Sequence, residues 1–187
     1  QGYSAGEHGW CDKRLIDEES LRMPFVIRYP KEIPSGKRID DIILNIDFAS
    51  LFADYARVKL PPSFQGKSFR KNLTGKTPKN WRTTAYYRYW QHAPERPSHF
   101  GIRNDKYKLA LFYGRPLNMT GVSKEITKPS WEFYDLVKDP HENKNRYEDE
   151  NYKTIIAEMK IELMKQRNAY KDTDEKYTEI KEFLETN

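Results

Sequence analysis

The sequence holds one cysteine, Cys11, among its 187 residues, so no disulfide can form within the chain. That suits a reduced compartment, or a secreted protein that needs no covalent staples. No apolar run approaches the roughly 18–20 residues that span a bilayer. There is no internal repeat, no low-complexity tract, no GxSxG elbow, no phosphate-cradling P-loop and no CxxC pair. The four histidines, His8, His92, His99 and His141, have no i, i+4 spacing that would build a zinc site on one helix. Methionine is absent from the first position. The opening run QGYSAGEHGW has neither helix nor strand period and reads as a cut inside a longer protein, with a start left by signal removal as the alternative.

What is present points to a folded, basic chain. Aromatics make up 14%, against 37% hydrophobic and 33% charged residues, and disordered chains are poor in aromatics. The net charge of +5 suits sulfated glycans, anionic lipid or nucleic acid as partners, or solubility alone. Acids are interspersed among the bases, which argues against a nucleic-acid arm.

Periodicity divides the chain. Phe25–Tyr29 (FVIRY), stopped by Pro30, reads as a short buried strand, and Ile42–Ile46 as the end of an extended segment. Asp47 is expected to cap a helix whose apolar face is Phe48, Leu51, Phe52 and Tyr55. Residues 61–82, rich in Pro, Gly and cations, read as a connection. TAYYRYW, HFGIR, KYKLALFY and WEFYDL then predict an antiparallel meander of about four strands. Tyr152, Ile155, Ile156, Met159 and Leu163 mark one face of a long helix that packs on it. The two N-x-T sequons, at Asn72 and Asn118, are short enough to arise by chance.

The chemistry-bearing segment is GEHGWCDKR. Gly6 and Gly9 flank Glu7-His8 and permit unusual backbone geometry. Lys13 follows closely, where an ammonium can hold an anion and stabilise charge growing on a leaving oxygen. A solvated Lys13–Arg14 pair and a loop-packing His8 are the bland alternative, since charged pairs are common at surfaces.

Six ordered blocks resemble type I sulfatases along nearly the whole chain: GEHGWCDKRLIDEESLRMP, IDFASLFADYA, PPSFQGKSF, YYRYW, FGIRNDKYKLALFY and WEFYDLVKDPHENKN. Within the helix block Ser50 and Leu51 stand where the family usually has Pro-Thr. The resemblance implies an α/β fold: residues 1–60 as the C-terminal part of an alkaline-phosphatase-like sandwich, 61–82 as a connection, and 83–187 as a subdomain with a four-stranded antiparallel sheet and a long helix. It implies a calcium-dependent sulfate-ester hydrolase in which a formylglycine hydrate attacks sulfur. Gln1 aligns with a calcium ligand, a hard oxygen donor. Lys13 aligns with the lysine that contacts the sulfate and its bridging oxygen, with His8 a weaker candidate beside it. Cys11 does not match the formylglycine motif, so the nucleophile and most metal ligands are expected on a preceding part of the protein, and this chain alone is expected to be inactive.

Trp90, His92, His99 and Arg103 are expected to bind substrate, the two histidines first because HAPERPSH reads as a turn. The implied partners are a sulfated carbohydrate and the N-terminal part of the same sulfatase, with no nucleic acid and no membrane span. The implied location is periplasmic or secreted. A phosphodiester or phosphonate hydrolase of the same superfold, and a non-enzymatic polyanion-binding module, stand as alternatives.

Overall fold

In the computed structural model, residues 2–175 and 177–185 are described. The chain forms two compact units, Gln1–Met23 with Tyr86–Asn187, and Pro24–Ala85. The residues of the glycine loop thus share a unit with the C-terminal sheet, a different division from one drawn along the sequence.

The first unit is built on a meander of β3 (Ala85–Tyr89), β4 (His99–Arg103), β5 (Tyr107–Phe112) and β6 (Ser130–Asp135), in that spatial order. The expected four strands and long helix are all present. β5 runs antiparallel to both neighbours, with Phe100 opposite Leu111 and Leu109 opposite Phe133. Alternation sends Phe100, Ile102, Leu109, Leu111 and Phe133 to one face. There α4 (Lys153–Ala169) lays Ile156, Met159 and Leu163 over them, and Ile180 of α5 (Thr178–Glu185) joins. Each fully buried Leu, Ile or Phe of this layer contributes on the order of 1.5–3 kcal/mol.

The opposite face carries Gly101, Arg103, Lys108, Ala110 and Phe112, and residues 15–21 cover it. Ile16 is buried against Ala110 and Phe112, with Leu15 and Leu21 beside it. Gly101 is required here, because an added Cβ would lie 2.4 Å from the Leu109 carbonyl and 2.7 Å from Ile16. The short ribbon β1 (Ser4–Ala5) and β2 (Cys11–Asp12) and the single turn α1 (Glu18–Leu21) complete this layer.

The second unit packs α2 (Asp47–Ala56) and α3 (Arg70–Leu73) around Leu51, Phe69 and Leu73. Two sequence expectations fail here. Residues 25–29 form no strand, and Val26 is 92% exposed; a short apolar run becomes a strand only where a neighbour completes its ladder. Residues 42–46, read as the end of an extended segment, carry no helix or strand and close in a turn at 45–46. The second failure is the cap: Ile46, not Asp47, holds that position. The Asp47 carboxylate instead accepts from the Leu44 and Lys67 amides, both at 2.8 Å, and from Arg82. Gly66 lies against this knot, with no room for a Cβ beside the Ile46 carbonyl at 2.0 Å.

Candidate functional site

The hairpin between β1 and β2 is a closed loop. The Gly6 amide donates to the Trp10 carbonyl at 3.0 Å, and the Trp10 amide to the Glu7 carbonyl at 2.9 Å. Closure needs positive φ at Gly6, His8 and Gly9, with values of 131°, 55° and 70°. Two of the three are glycine, as the conformation favours. The Glu7 carboxylate accepts from the Ala5 amide at 2.6 Å, and its own and the Ala5 backbone amides hold it below the usual carboxylate range. His8 Nε2 stands 3.9 Å from Glu19 Oε2.

Lys13 leaves this hairpin on the exposed surface. Its neighbours Asp12 and Arg14 pair with each other at 3.4 Å. Lys13 has no hydrogen-bond or ion-pair partner among the described residues. The loop is therefore locked in its backbone and presents one unengaged ammonium.

Beneath it lies a buried charge network. Lys108, 1% exposed at its side chain, reaches Glu142 at 2.5 Å and Glu18 at 3.1 Å. Arg103 grips the Glu18 carboxylate with Nε at 3.1 Å and Nη2 at 2.9 Å. The Glu18 amide donates to the second Glu142 oxygen at 2.7 Å. Burial pushes Glu142 above its ordinary range, and Lys108 offsets only part of that. Burial also acts on Glu18, but Arg103 and Lys108 outweigh it and hold Glu18 low. Two carboxylates and two cations neutralise each other, which is the condition for burying any of them.

The residues expected to bind substrate have other partners. His92 is 2% exposed; its Nε2 faces the Glu125 carbonyl at 2.5 Å and its Nδ1 accepts from the Ser98 amide at 3.3 Å. One tautomer satisfies both contacts, and no ring nitrogen is left for a ligand. His99 is fully buried, its Nδ1 2.7 Å from the Pro97 carbonyl and its ring stacked among Phe112, Tyr89 and Tyr87. Burial lowers its pKa to about 4, which favours the neutral ring. Arg103 is consumed by Glu18. Trp90 lies under the Arg88 guanidinium at 3.5 Å and edge-on to Tyr177, on the helix-side face of the sheet. Arg88 in turn pairs with Asp172 and Asp174, and Arg167 with Asp174. Each of the four is therefore buried or held by a nearer partner in this structure. Gln1, the expected metal ligand, lies outside the described residues. Among the described residues no three His, Cys, Asp or Glu side chains gather as a metal would need. The described residues do not form a metal site by themselves.

The blocks that carry the sulfatase resemblance are thus mostly scaffolding. Asp135 accepts from the Val137 and Lys138 amides and from the Tyr152 hydroxyl. Asn145 accepts from the Phe133 amide at 3.0 Å and donates to the Trp131 carbonyl at 3.0 Å. Glu18, Arg103, Lys108 and Glu142 belong to three separate blocks that meet in one network. Sequence analysis missed this, although the antiparallel register sets Arg103 opposite Lys108. Two cations facing each other on one side of a sheet require an anion between them.

A four-stranded meander with a helix layer on one face and a glycine-framed, lysine-bearing loop over the other defines a sulfatase-type C-terminal subdomain. The chain belongs to the N-sulphoglucosamine sulphohydrolase C-terminal family, whose model matches residues 6–169. It is 40% identical over 178 residues to an N-acetylglucosamine-6-O-sulfatase of Bacteroides thetaiotaomicron, covering 93% of this chain and 30% of that protein. It is 28% identical over 186 residues to an arylsulfatase of Clostridium perfringens, covering 98% and 34%. The fold superposes with a TM-score of 0.81 and 38% identity on BT4656 in complex with its substrate D-glucosamine-2-N,6-O-disulfate, covering 93% of this chain and 34% of that one. The chain therefore spans about a third of the length of these relatives.

Proposed function

We propose that the protein to which this chain belongs hydrolyses sulfate esters on a glucosamine-type sugar, and that Lys13 serves the bridging oxygen. One observation carries this reading: within a family of sulfatases, the glycine loop is locked at every turn yet leaves Lys13 exposed and unengaged. Other cations nearby on this sheet face, Arg103 and Lys108, are bound to carboxylates. An ammonium held there stabilises the negative charge that grows on the alcohol oxygen as its bond to sulfur breaks. His8 lies in the same loop and is proposed to contact substrate. The glucosamine substrate rests on the names of the relatives at 38–40% identity.

Calcium and formylglycine, with Gln1 as one calcium ligand, are proposed to complete the site from the preceding part of the protein. That part is also the partner proposed for the second unit. Phe25, Val26, Phe52, Val58 and Phe64 of that unit are 46%, 92%, 63%, 61% and 46% exposed, large apolar side chains that a partner surface would cover. A periplasmic or secreted location is proposed with the sulfated glycan substrate; no helix among the described residues is long and apolar enough to cross a membrane.

The test is sulfate release by the intact protein from N-acetylglucosamine-6-O-sulfate, beside a phosphonate monoester and beside this chain alone. The reading predicts turnover of the sugar sulfate, lost on chelation and restored by calcium, and no turnover by this chain alone. Preference for the phosphonate would replace the reading by its superfold alternative.

A further inference from the structure

The backbone that carries Lys13 is held in an unusual conformation. Arg14 has φ 95°, which residues with a side chain seldom adopt, and such a conformation persists only where its surroundings impose it. On one side of Lys13 the β1–β2 ribbon ends at Asp12. On the other side the next fixed point is Ile16, 1% exposed against Ala110 and Phe112. Between them a single polar contact ties the segment to the sheet among the described residues. The Tyr87 hydroxyl, from β3, donates to the Arg14 carbonyl at 2.8 Å. The Asp12–Arg14 pair joins loop to loop and does not anchor it.

Tyr87 is itself well placed to act as a strut. Its ring rests at 5.7 Å from that of His99, which is fully buried. Burial raises the phenol to about 12, so the hydroxyl stays a donor at any working pH. The contact buries nothing of Lys13, which remains exposed, so its effect falls on where the ammonium is rather than on the core.

We propose that Tyr87 is a positioning residue for Lys13, its hydroxyl fixing through the Arg14 carbonyl the backbone from which the ammonium projects. This rests on the reading of Lys13 as the group at the bridging oxygen. A misplacement of about 1 Å at such a group lowers turnover by as much as ~100-fold.

The test uses the intact protein with two substrates, N-acetylglucosamine-6-O-sulfate, whose alcohol is a poor leaving group, and 4-nitrophenyl sulfate, whose phenol leaves readily. Lys13→Ala is expected to lose roughly 100-fold or more in kcat on the sugar sulfate and far less on the aryl sulfate, which needs little help at the oxygen. Tyr87→Phe keeps the ring and is expected to show the same pattern in weaker form. It should lose roughly ten-fold in kcat on the sugar sulfate with KM within about two-fold, and little on the aryl sulfate. In a Lys13→Ala background it should add nothing. Amide hydrogen exchange at residues 13–15 should quicken in Tyr87→Phe, a readout independent of turnover.

Equal losses on both substrates, or unchanged exchange, with Lys13→Ala still selective, would overturn the role of Tyr87 and leave that of Lys13 standing. Should Lys13→Ala itself retain turnover of the sugar sulfate, the reading of Lys13 fails and the positioning role fails with it.

Discussion

Replacing Lys108 by methionine is the sharpest probe of the layer that supports the loop. The side chain is 1% exposed and sits between Glu142 at 2.5 Å and Glu18 at 3.1 Å. Methionine fills most of the same space, so the perturbation is the loss of a charge, not a cavity. Glu18 keeps Arg103, at 2.9 Å, but Glu142 loses its only cation among the described residues while remaining 3% exposed. Breaking a buried pair on one side destabilises by about 3–5 kcal/mol. The loss depends on pH with a definite sign. Glu142 is already raised by burial, and without Lys108 it rises further. A raised carboxyl destabilises the fold where it must ionise, above its folded pKa, and is harmless where it is protonated in both states. The deficit of the variant is therefore largest near pH 8 and shrinks as pH falls towards 5. Urea unfolding of the intact protein at both pH values reads it. Adding Glu142→Gln should recover part of the loss, because the amide oxygen still accepts from the Glu18 backbone and no charge is left unpaired. A deficit under about 1 kcal/mol at pH 8, or one independent of pH, would refute the account of the network.

Other predictions follow from the same packing. Asp47→Ala removes an acceptor, 0% exposed, used by two amides and Arg82, and should destabilise by more than about 3 kcal/mol; trypsin cleavage within residues 24–85 should speed up, while the residues of the sheet unit stay protected. His99, with its pKa lowered to about 4 from an unfolded value near 6.5, supplies stability that is complete above pH 6.5 and declines as pH falls through that range to 4. The decline amounts to roughly 3 kcal/mol, and His99→Phe should flatten that limb of a pH–stability curve.

The sheet and the long helix were legible because their faces are periodic. In β5 the alternation of Leu109 and Leu111 with Lys108 and Ala110 is visible in the residues, and so is the spacing of Ile156, Met159 and Leu163. The glycine loop was legible too, since Gly6 and Gly9 mark the positive φ angles it needs. What was not legible is pairing at long range. Arg103 and Glu18 lie 85 residues apart, and His92 meets the Glu125 carbonyl 33 residues on. A cation or imidazole in a polar, turn-like stretch looks free until its partner is placed. The same holds in reverse for Phe25–Tyr29, where an apolar run suggested burial that the second unit does not provide. The residues that mark the family are mostly those whose long-range partners are exacting, and the exposed, unengaged Lys13 is the one proposed for chemistry at the bridging oxygen.

Lys13→Ala in the intact protein tests that conclusion most directly, measured as sulfate release from N-acetylglucosamine-6-O-sulfate alongside urea unfolding. The account predicts a loss of roughly 100-fold or more in kcat with stability unchanged to within about 0.5 kcal/mol, as for an exposed side chain with no partner. Turnover within a few-fold of the parent protein would contradict it.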